Sequence, residues 1–128
     1  MRECQGAIHP RARDGIVLFN QGRYFEAHEE LEAAWREESG KIRGLYQGIL
    51  EAGVAYLHIR RQNLEGALKV YGRSMRWLRE WPEVCRGTCV GQLRRDLDAA
   101  MAEARRLGPA RIAEIDPEFF RPIMLKTG

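Results

Sequence analysis

The sequence predicts an all-α protein, a compact bundle of about five helices around a buried central helix. Apolar residues recur at the helical period through most of the chain. No segment keeps the alternation of apolar and polar residues that marks a strand, and β-branched residues are few. The chain has 128 residues, which is the usual length of a single domain with one hydrophobic core.

Turn-forming residues divide the chain into helical segments. Most of these segments end at a glycine or a proline, as Gly40 illustrates for the second and Pro82 for the fourth. The predicted helices are 10–21, 23–38, 41–61, 64–80 and 90–107. The tail at 109–128 is apolar and rich in proline, so it is predicted to wrap the bundle as extended chain or short turns.

The third helix is apolar on almost every face, so it is predicted to be the central one. A strip of small residues along it would let another helix approach closely; this strip is Gly44, Gly48, Ala52 and Ala55. A narrow stripe along it also contains polar residues, since Gln47, Glu51 and His58 line up there with Val54. A buried carboxylate is costly unless it is paired, so Glu51 is expected to have a partner.

The second helix carries polar residues inside its apolar face. At about 100° per residue, one face collects Tyr24, Phe25, His28, Leu31, Glu32 and Trp35. If helices two and three form an antiparallel hairpin, His28 lies level with Glu51, and Glu32 with Gln47. The sequence therefore predicts a buried polar cluster between these two helices.

A longer block of the sequence resembles a known family. FNQGRYFEAHEELEAAW, followed by GLYQGILEAGVAYLHIRRQNLEGALKVY, is similar to the small bacterial and archaeal proteins grouped as domain of unknown function family 309. The match spans roughly Phe19–Tyr71. The motif positions are occupied by Tyr24, Phe25, Glu26, His28, Glu29, Glu32, Trp35, Gln47, His58, Asn63 and Ala67.

The resemblance implies a compact all-helical fold and no established activity. Family members often have glutamine where this chain has Glu51, which argues against a metal site that depends on this carboxylate as a family feature. The whole chain, 1–128, is interpreted as one helical domain. It comprises a family-like core at about 9–81, an additional helix at 90–107 and an irregular tail at 109–128.

The polar cluster has several interpretations that the sequence leaves open. The first is a structural network that could line a small-ligand or catalytic pocket, with His28 as acid or base and Glu32 or Glu51 orienting its ring. The other residues predicted to line this pocket are Tyr24, Glu29, Trp35, Gln47, His58 and Asn63. Whether the chain is an enzyme is left open, and its residues require no cofactor.

Two alternatives stand beside that interpretation. One is a helical-repeat-like interaction module, because NQGRYFEAHEEL and RQNLEGALKVYG look alike. The other is a metal-binding bundle, in which His28, Glu32 and Glu51 would hold a divalent metal. Burial of His28 between the helices favours the cluster, whereas exposure favours the interaction module.

Composition and charge limit the classes of partner. No apolar stretch is long enough to span a bilayer, and no signal-like run is present near Met1, so a cytoplasmic location without membrane association is expected. The charge is unevenly spread within a net charge of +3: six acids and one base lie at 24–40, and eight bases and three acids lie at 41–81. This division fits complementarity between neighbouring helices better than a nucleic-acid footprint, and a homo-oligomer is compatible with it.

The sequence also predicts the bonding state of the cysteines and the burial of the tryptophans. Cys4, Cys85 and Cys89 are expected to form no disulfide framework, because such frameworks are rare in a reducing compartment. Cys85 and Cys89 lack the second pair of ligands that a structural zinc site needs. The tryptophans lie on apolar helical faces and are predicted to be in the core or in pocket walls; they are Trp35, Trp77 and Trp81.

Overall fold

A computed structural model describes residues 1–126 and confirms the all-α class. Its helices are α1 (Pro10–Asn20), α2 (Tyr24–Glu37), α3 (Arg43–Arg60), α4 (Leu64–Leu78) and α5 (Val90–Arg111). The bounds lie within a few residues of the predicted ones. Among the described residues, no helix combines the length and the apolar character needed to cross a membrane.

The helix α3 is central, as predicted. Twelve of its 18 residues are buried, and it packs against both α2 and α4. Its strip of small residues receives α4, because a Cβ atom added to Gly48 would lie 2.7 Å from Cδ2 of Leu78. At the same contact, Oγ of Ser74 donates a hydrogen bond of 2.7 Å to the Gly48 carbonyl oxygen. Because α3 and α4 approach closely at Gly48, residues of α3 near this contact, such as Glu51, lie within reach of side chains of α4.

The helix α5 bends near its end, where the sequence predicted it to stop. Gly108 has a φ of 75° and a ψ of 172°, a conformation that side chains disfavour, and Pro109 follows it. Short 3-10 helices follow at Ile112–Glu114 and Pro117–Phe119. The tail then returns to the bundle, where Asn20 exchanges hydrogen bonds of 2.9 and 2.7 Å with the Ile123 backbone. The predicted wrapping of the tail is confirmed for its described residues, and residues 127–128 lie outside them.

A small hairpin lies between α4 and α5, and the sequence analysis missed it. Strands β1 (Val84–Cys85) and β2 (Thr88–Cys89) pair antiparallel. The turn residues Arg86 and Gly87 have φ angles of 47° and 78°, as the tightest hairpin turns require. Each strand is only two residues long, so neither could produce an alternating pattern in the sequence.

The expectation of unbonded cysteines is wrong for two of the three. Cys4 and Cys85 form a disulfide across a sequence separation of 81 residues, and Cys89 is free. The bond ties the N-terminal segment, with its 3-10 helix at Arg2–Cys4, to the hairpin. The sequence argument failed here because it reasoned from the expected compartment and could not show which cysteines lie in contact.

Candidate functional site

The buried face of α2 is centred on its alanines. The buried residues of this helix are Tyr24, Ala27, Leu31 and Ala34. A Cβ atom added to Gly15 of α1 would lie 2.7 Å from Cγ of Leu31 and 3.2 Å from the Ala27 carbonyl oxygen. The close packing of α1 thus selects the alanine stripe as the buried face, and the polar residues of the helix flank it.

His28 and Glu32 therefore lie at the surface. Their side chains are 34% and 35% exposed, and Nε2 of His28 is 3.6 Å from Oε2 of Glu32. Glu32 also accepts a hydrogen bond from Arg36, one turn further along the helix. The prediction that these residues are buried between α2 and α3 is wrong, because the apolar stripe of α2 is centred one residue earlier than the sequence suggested.

A surface depression of about 460 Å³ lies around these two side chains. Its lining is Arg11, Phe25, His28, Glu29, Glu32, Ala33 and Arg36. Phe25 is 57% exposed, and its ring stacks on the imidazole of His28 with the centroids 6.5 Å apart and the planes at 27°. Within residues 1–126, the Glu29 side chain forms no ion pair or hydrogen bond. We refer to Phe25, His28, Glu29 and Glu32 as the α2 surface site.

Glu51 faces α4. Its Oε1 lies 3.2 Å from Nε of Arg73, and its side chain is only 10% exposed. Its Oε2 is buried and has no hydrogen-bond partner within residues 1–126. Burial raises the pKa of Glu51, while the Arg73 guanidinium and the Gln47 amide oppose this rise. The expected partner of Glu51 thus exists, but it is an arginine of α4 and not His28.

The predicted catalytic and metal-binding set is therefore not assembled. His28 and Glu32 line the depression on α2, whereas Glu51 is held by Arg73 in the groove between α3 and α4. In the part of the chain that the structure describes, no group of three His, Cys, Asp or Glu side chains is arranged to hold a metal ion. The separation follows from the alanine face of α2, which turns His28 away from α3.

The other predicted pocket residues do not meet in one pocket either. Glu29 lies in the α2 surface site, and Gln47 lies next to Glu51. His58 and Asn63 support the start of α4: Nδ1 of His58 is 3.2 Å from the Asn63 amide nitrogen, and Oδ1 of Asn63 accepts a 3.0 Å hydrogen bond from the Gly66 N–H. Asn63 is thus a helix N-cap, a role that explains its presence without a ligand.

The aromatic residues divide between the core and the edges of grooves. Trp81 is buried and Trp35 is partly buried, with the Arg43 guanidinium 3.9 Å above its ring. Trp77 is 40% exposed and lines a groove on α4, so it belongs to a pocket wall and not to the core. Tyr24 is buried in an aromatic cluster, where its ring contacts those of Phe19 and Tyr56.

Sequence analysis missed a polar network around Tyr46. The Tyr46 hydroxyl accepts a 3.1 Å hydrogen bond from the His9 backbone N–H and lies 3.4 Å from Oε1 of Glu38. Arg86 pairs with the same Glu38 oxygen at 3.0 Å and lies 3.3 Å from the hydroxyl. Burial raises the pKa of Tyr46, so the phenol stays protonated. Its members lie far apart in the sequence, so no motif could have indicated this network.

These features define a helical-bundle domain that carries a polar and aromatic surface site on its second helix. Residues 12–70 match the profile of the family described as Domain of unknown function (DUF309). This match confirms the resemblance of this segment to that family. It contains α1, α2, α3 and most of α4, and hence the whole α2 surface site.

The chain is also similar to a protein of Bacillus subtilis (strain 168). The chain is 42% identical over 74 residues to this bacterium's "Uncharacterized protein YpuF". The alignment covers 56% of this chain and 42% of the relative. The chain therefore spans less than half the length of that relative, whose name states no activity.

Proposed function

We propose that the protein is an interaction module whose α2 surface site binds a basic side chain of a partner protein. The observation that supports this function is the exposed Phe25 ring, stacked on His28 beside the unpaired carboxylate of Glu29. The face of an aromatic ring attracts a cation, and a carboxylate next to it adds charge attraction and a hydrogen-bond acceptor. A lysine or arginine side chain matches both groups.

The charges around the site favour a cationic ligand. The helix α2 contains five glutamates and a single arginine. Both arginines of the depression already have carboxylate partners, since Arg11 pairs with Glu30 at 2.7 Å and Arg36 pairs with Glu32. Glu29 is left as the carboxylate without a counter-charge, so an incoming cation would be attracted and not repelled.

The exposure of the site supports binding in preference to the other interpretations. All four residues of the site occupy positions of the family motif, yet they lie at the surface, where packing of the core does not require them. Catalysis or metal binding by His28, Glu32 and Glu51 would need Glu51 to leave Arg73. A cytoplasmic location stays a prediction of the sequence.

Nuclear magnetic resonance (NMR) titration with N-acetylarginine amide tests this proposal. The control ligand is N-acetylcitrulline amide, which keeps the shape of the side chain and lacks its charge. We expect saturable shifts of the Phe25, His28 and Glu29 amide signals with the arginine compound alone. Phe25→Ala and Glu29→Gln should each abolish these shifts.

The matched control variant is Glu65→Gln. It removes the same charge from an 85% exposed glutamate on α4, outside the α2 surface site, so it should leave the arginine titration unchanged. Equal shifts with the arginine and citrulline compounds would show that charge is not recognised. If the arginine compound still shifts these signals in Glu29→Gln, Glu29 does not take part in binding.

A further inference from the structure

A second depression, of about 490 Å³, lies at the end of the bundle where α1 and α3 finish. The turn between α1 and α2 forms one side of it, and the end of α3 forms another. The segment after α5 closes it through Ile112, Ile115 and Phe120. We call this the C-terminal depression. It shares no lining residue with the α2 surface site.

Arg60 supplies the charge of the C-terminal depression. Its guanidinium lies 4.9 Å above the Tyr24 ring, and its Nη1 donates a 2.6 Å hydrogen bond to the Gly22 carbonyl oxygen. These two contacts hold the cation at the wall. No carboxylate of residues 1–126 forms an ion pair with Arg60. A guanidinium has five N–H donors, so Arg60 keeps donors for an anion.

The walls of the depression are held in place before any ligand binds. Phe120 packs edge-on against Tyr56 with the ring centroids 5.2 Å apart, and Tyr56 also contacts Tyr24 at 5.6 Å. Gln62, at the rim, has a φ of 61° as part of the C-terminal cap of α3, where the Asn63 N–H donates a 2.9 Å hydrogen bond to the His58 carbonyl oxygen. A preformed site loses little conformational entropy on binding.

We propose that the C-terminal depression binds a small carboxylate with an aromatic or branched aliphatic body. The carboxylate pairs with Arg60, and the body packs against Ile115 and Phe120, which are only partly buried. Charge complementarity argues for the anion, because Arg60 is a cation without a carboxylate partner in the described chain. The volume lies in the usual range of small-molecule sites, about 300–1000 Å³.

The test follows isoleucine methyl signals in NMR spectra while phenylacetate or 3-methylbutanoate is added. Ile59, Ile112 and Ile115 line the depression, whereas Ile42 in the core serves as an internal control. We expect saturable shifts at the three lining residues only. Phenylacetamide has the same shape without the charge, and it should bind about tenfold more weakly, because a hydrogen bond to a charged group is lost.

Substitutions at Arg60 test whether this residue binds the carboxylate. Arg60→Gln should weaken phenylacetate binding about tenfold. Arg61→Gln removes the same charge from the neighbouring exposed residue, which does not line the depression, and should change the affinity less than twofold. Arg60→Lys keeps the charge and should retain a preference for phenylacetate over phenylacetamide.

Several outcomes would overturn the proposal. The absence of saturable shifts with both carboxylates would exclude the site, and equal affinity for phenylacetate and phenylacetamide would exclude anion recognition. An equal loss in Arg60→Gln and Arg61→Gln would indicate a general charge effect. If Arg60→Gln changes the methyl spectrum of the free protein, the test relies on Arg60→Lys. Equal binding of phenylacetate and phenylacetamide by Arg60→Lys would then refute the role of Arg60.

Discussion

The Cys4–Cys85 disulfide is expected to supply a large share of the stability of this protein. The bond closes a loop between residues 81 apart in sequence. The loop-entropy relation gives about 15 cal/mol/K for a loop of this size, or about 4.5 kcal/mol at 25 °C. Domains of ordinary stability have a free energy of unfolding of about 5–15 kcal/mol, so loss of this bond should be easy to measure.

Contacts around the bond indicate what its cleavage would release. The Arg86 backbone N–H donates a 2.9 Å hydrogen bond to the Cys4 carbonyl oxygen, and its Nε donates one of 2.8 Å to the Glu3 carbonyl oxygen. Arg86 is itself anchored by Glu38 and Tyr46. Reduction should therefore loosen the N-terminal segment while these hydrogen bonds keep the native arrangement populated. The expected loss is about 3–4.5 kcal/mol.

Guanidinium chloride unfolding measures this loss directly. The protein is compared in its oxidised form, after reduction with a phosphine, and as Cys4→Ser. Cys4 is the residue to replace, because it is partly exposed, whereas Cys85 is fully buried and a serine there would bury a hydroxyl. The reduced and Cys4→Ser proteins should agree. Cys89→Ser is the control and should change the free energy of unfolding by less than about 0.5 kcal/mol.

Two results would refute this reasoning. Three titratable thiols in the unfolded protein, purified without reductant, would mean that the bond does not form. A loss below about 1 kcal/mol on reduction would mean that the loop is already constrained in the unfolded chain, contrary to the entropy relation used here.

Three further variants test the packing of α2 and α3. Because burial raises the folded-state pKa of Glu51, the free energy of unfolding of the wild type falls as pH rises above the ordinary carboxyl pKa of 4.5. Over that range Glu51→Gln should gain stability relative to the wild type, by at most about 1.5 kcal/mol. A difference that does not change with pH in denaturant titrations would contradict this. His28→Ala should lower the free energy of unfolding by less than about 1 kcal/mol, since the His28–Glu32 pair is one-third exposed, and a loss of several kcal/mol would place His28 in the core. Trp35→Ala should cost about 2–4 kcal/mol, because its ring is partly buried under Arg43; a loss below about 1 kcal/mol would show that the ring contributes no packing.

The helices could be predicted because their signals are local. Pro10 stands at the start of α1, and Asn63 caps α4 by accepting a hydrogen bond from a residue three positions later. The central place of α3 also followed from the sequence, since a helix that is apolar all round and carries Gly44 and Gly48 must be covered by neighbours. Helical periodicity could not predict the hairpin or the bend at Gly108, because both depend on the backbone angles of a few residues.

The candidate site was predicted only in part, for a geometrical reason. Helical periodicity places His28 and Glu32 on the same side of α2, and the structure agrees. Periodicity does not say which of two neighbouring stripes faces the core. Gly15 of α1 favours one of them, because its lack of a side chain leaves room for the Leu31 side chain and the Ala27 backbone of α2. His28 therefore lies at the surface, and Glu51 pairs with Arg73 of α4.

The sequence by itself determined the all-α class, the order and approximate bounds of the helices, and the buried position of α3. These properties depend on propensities, caps and apolar spacing within a few residues of chain. Only the tertiary structure decided the partners, because they come from distant segments: Arg73 for Glu51, Cys4 for Cys85, and Ile123 for Asn20. Such contacts depend on the angle and distance at which helices pack, and these are set by the whole set of side chains between them.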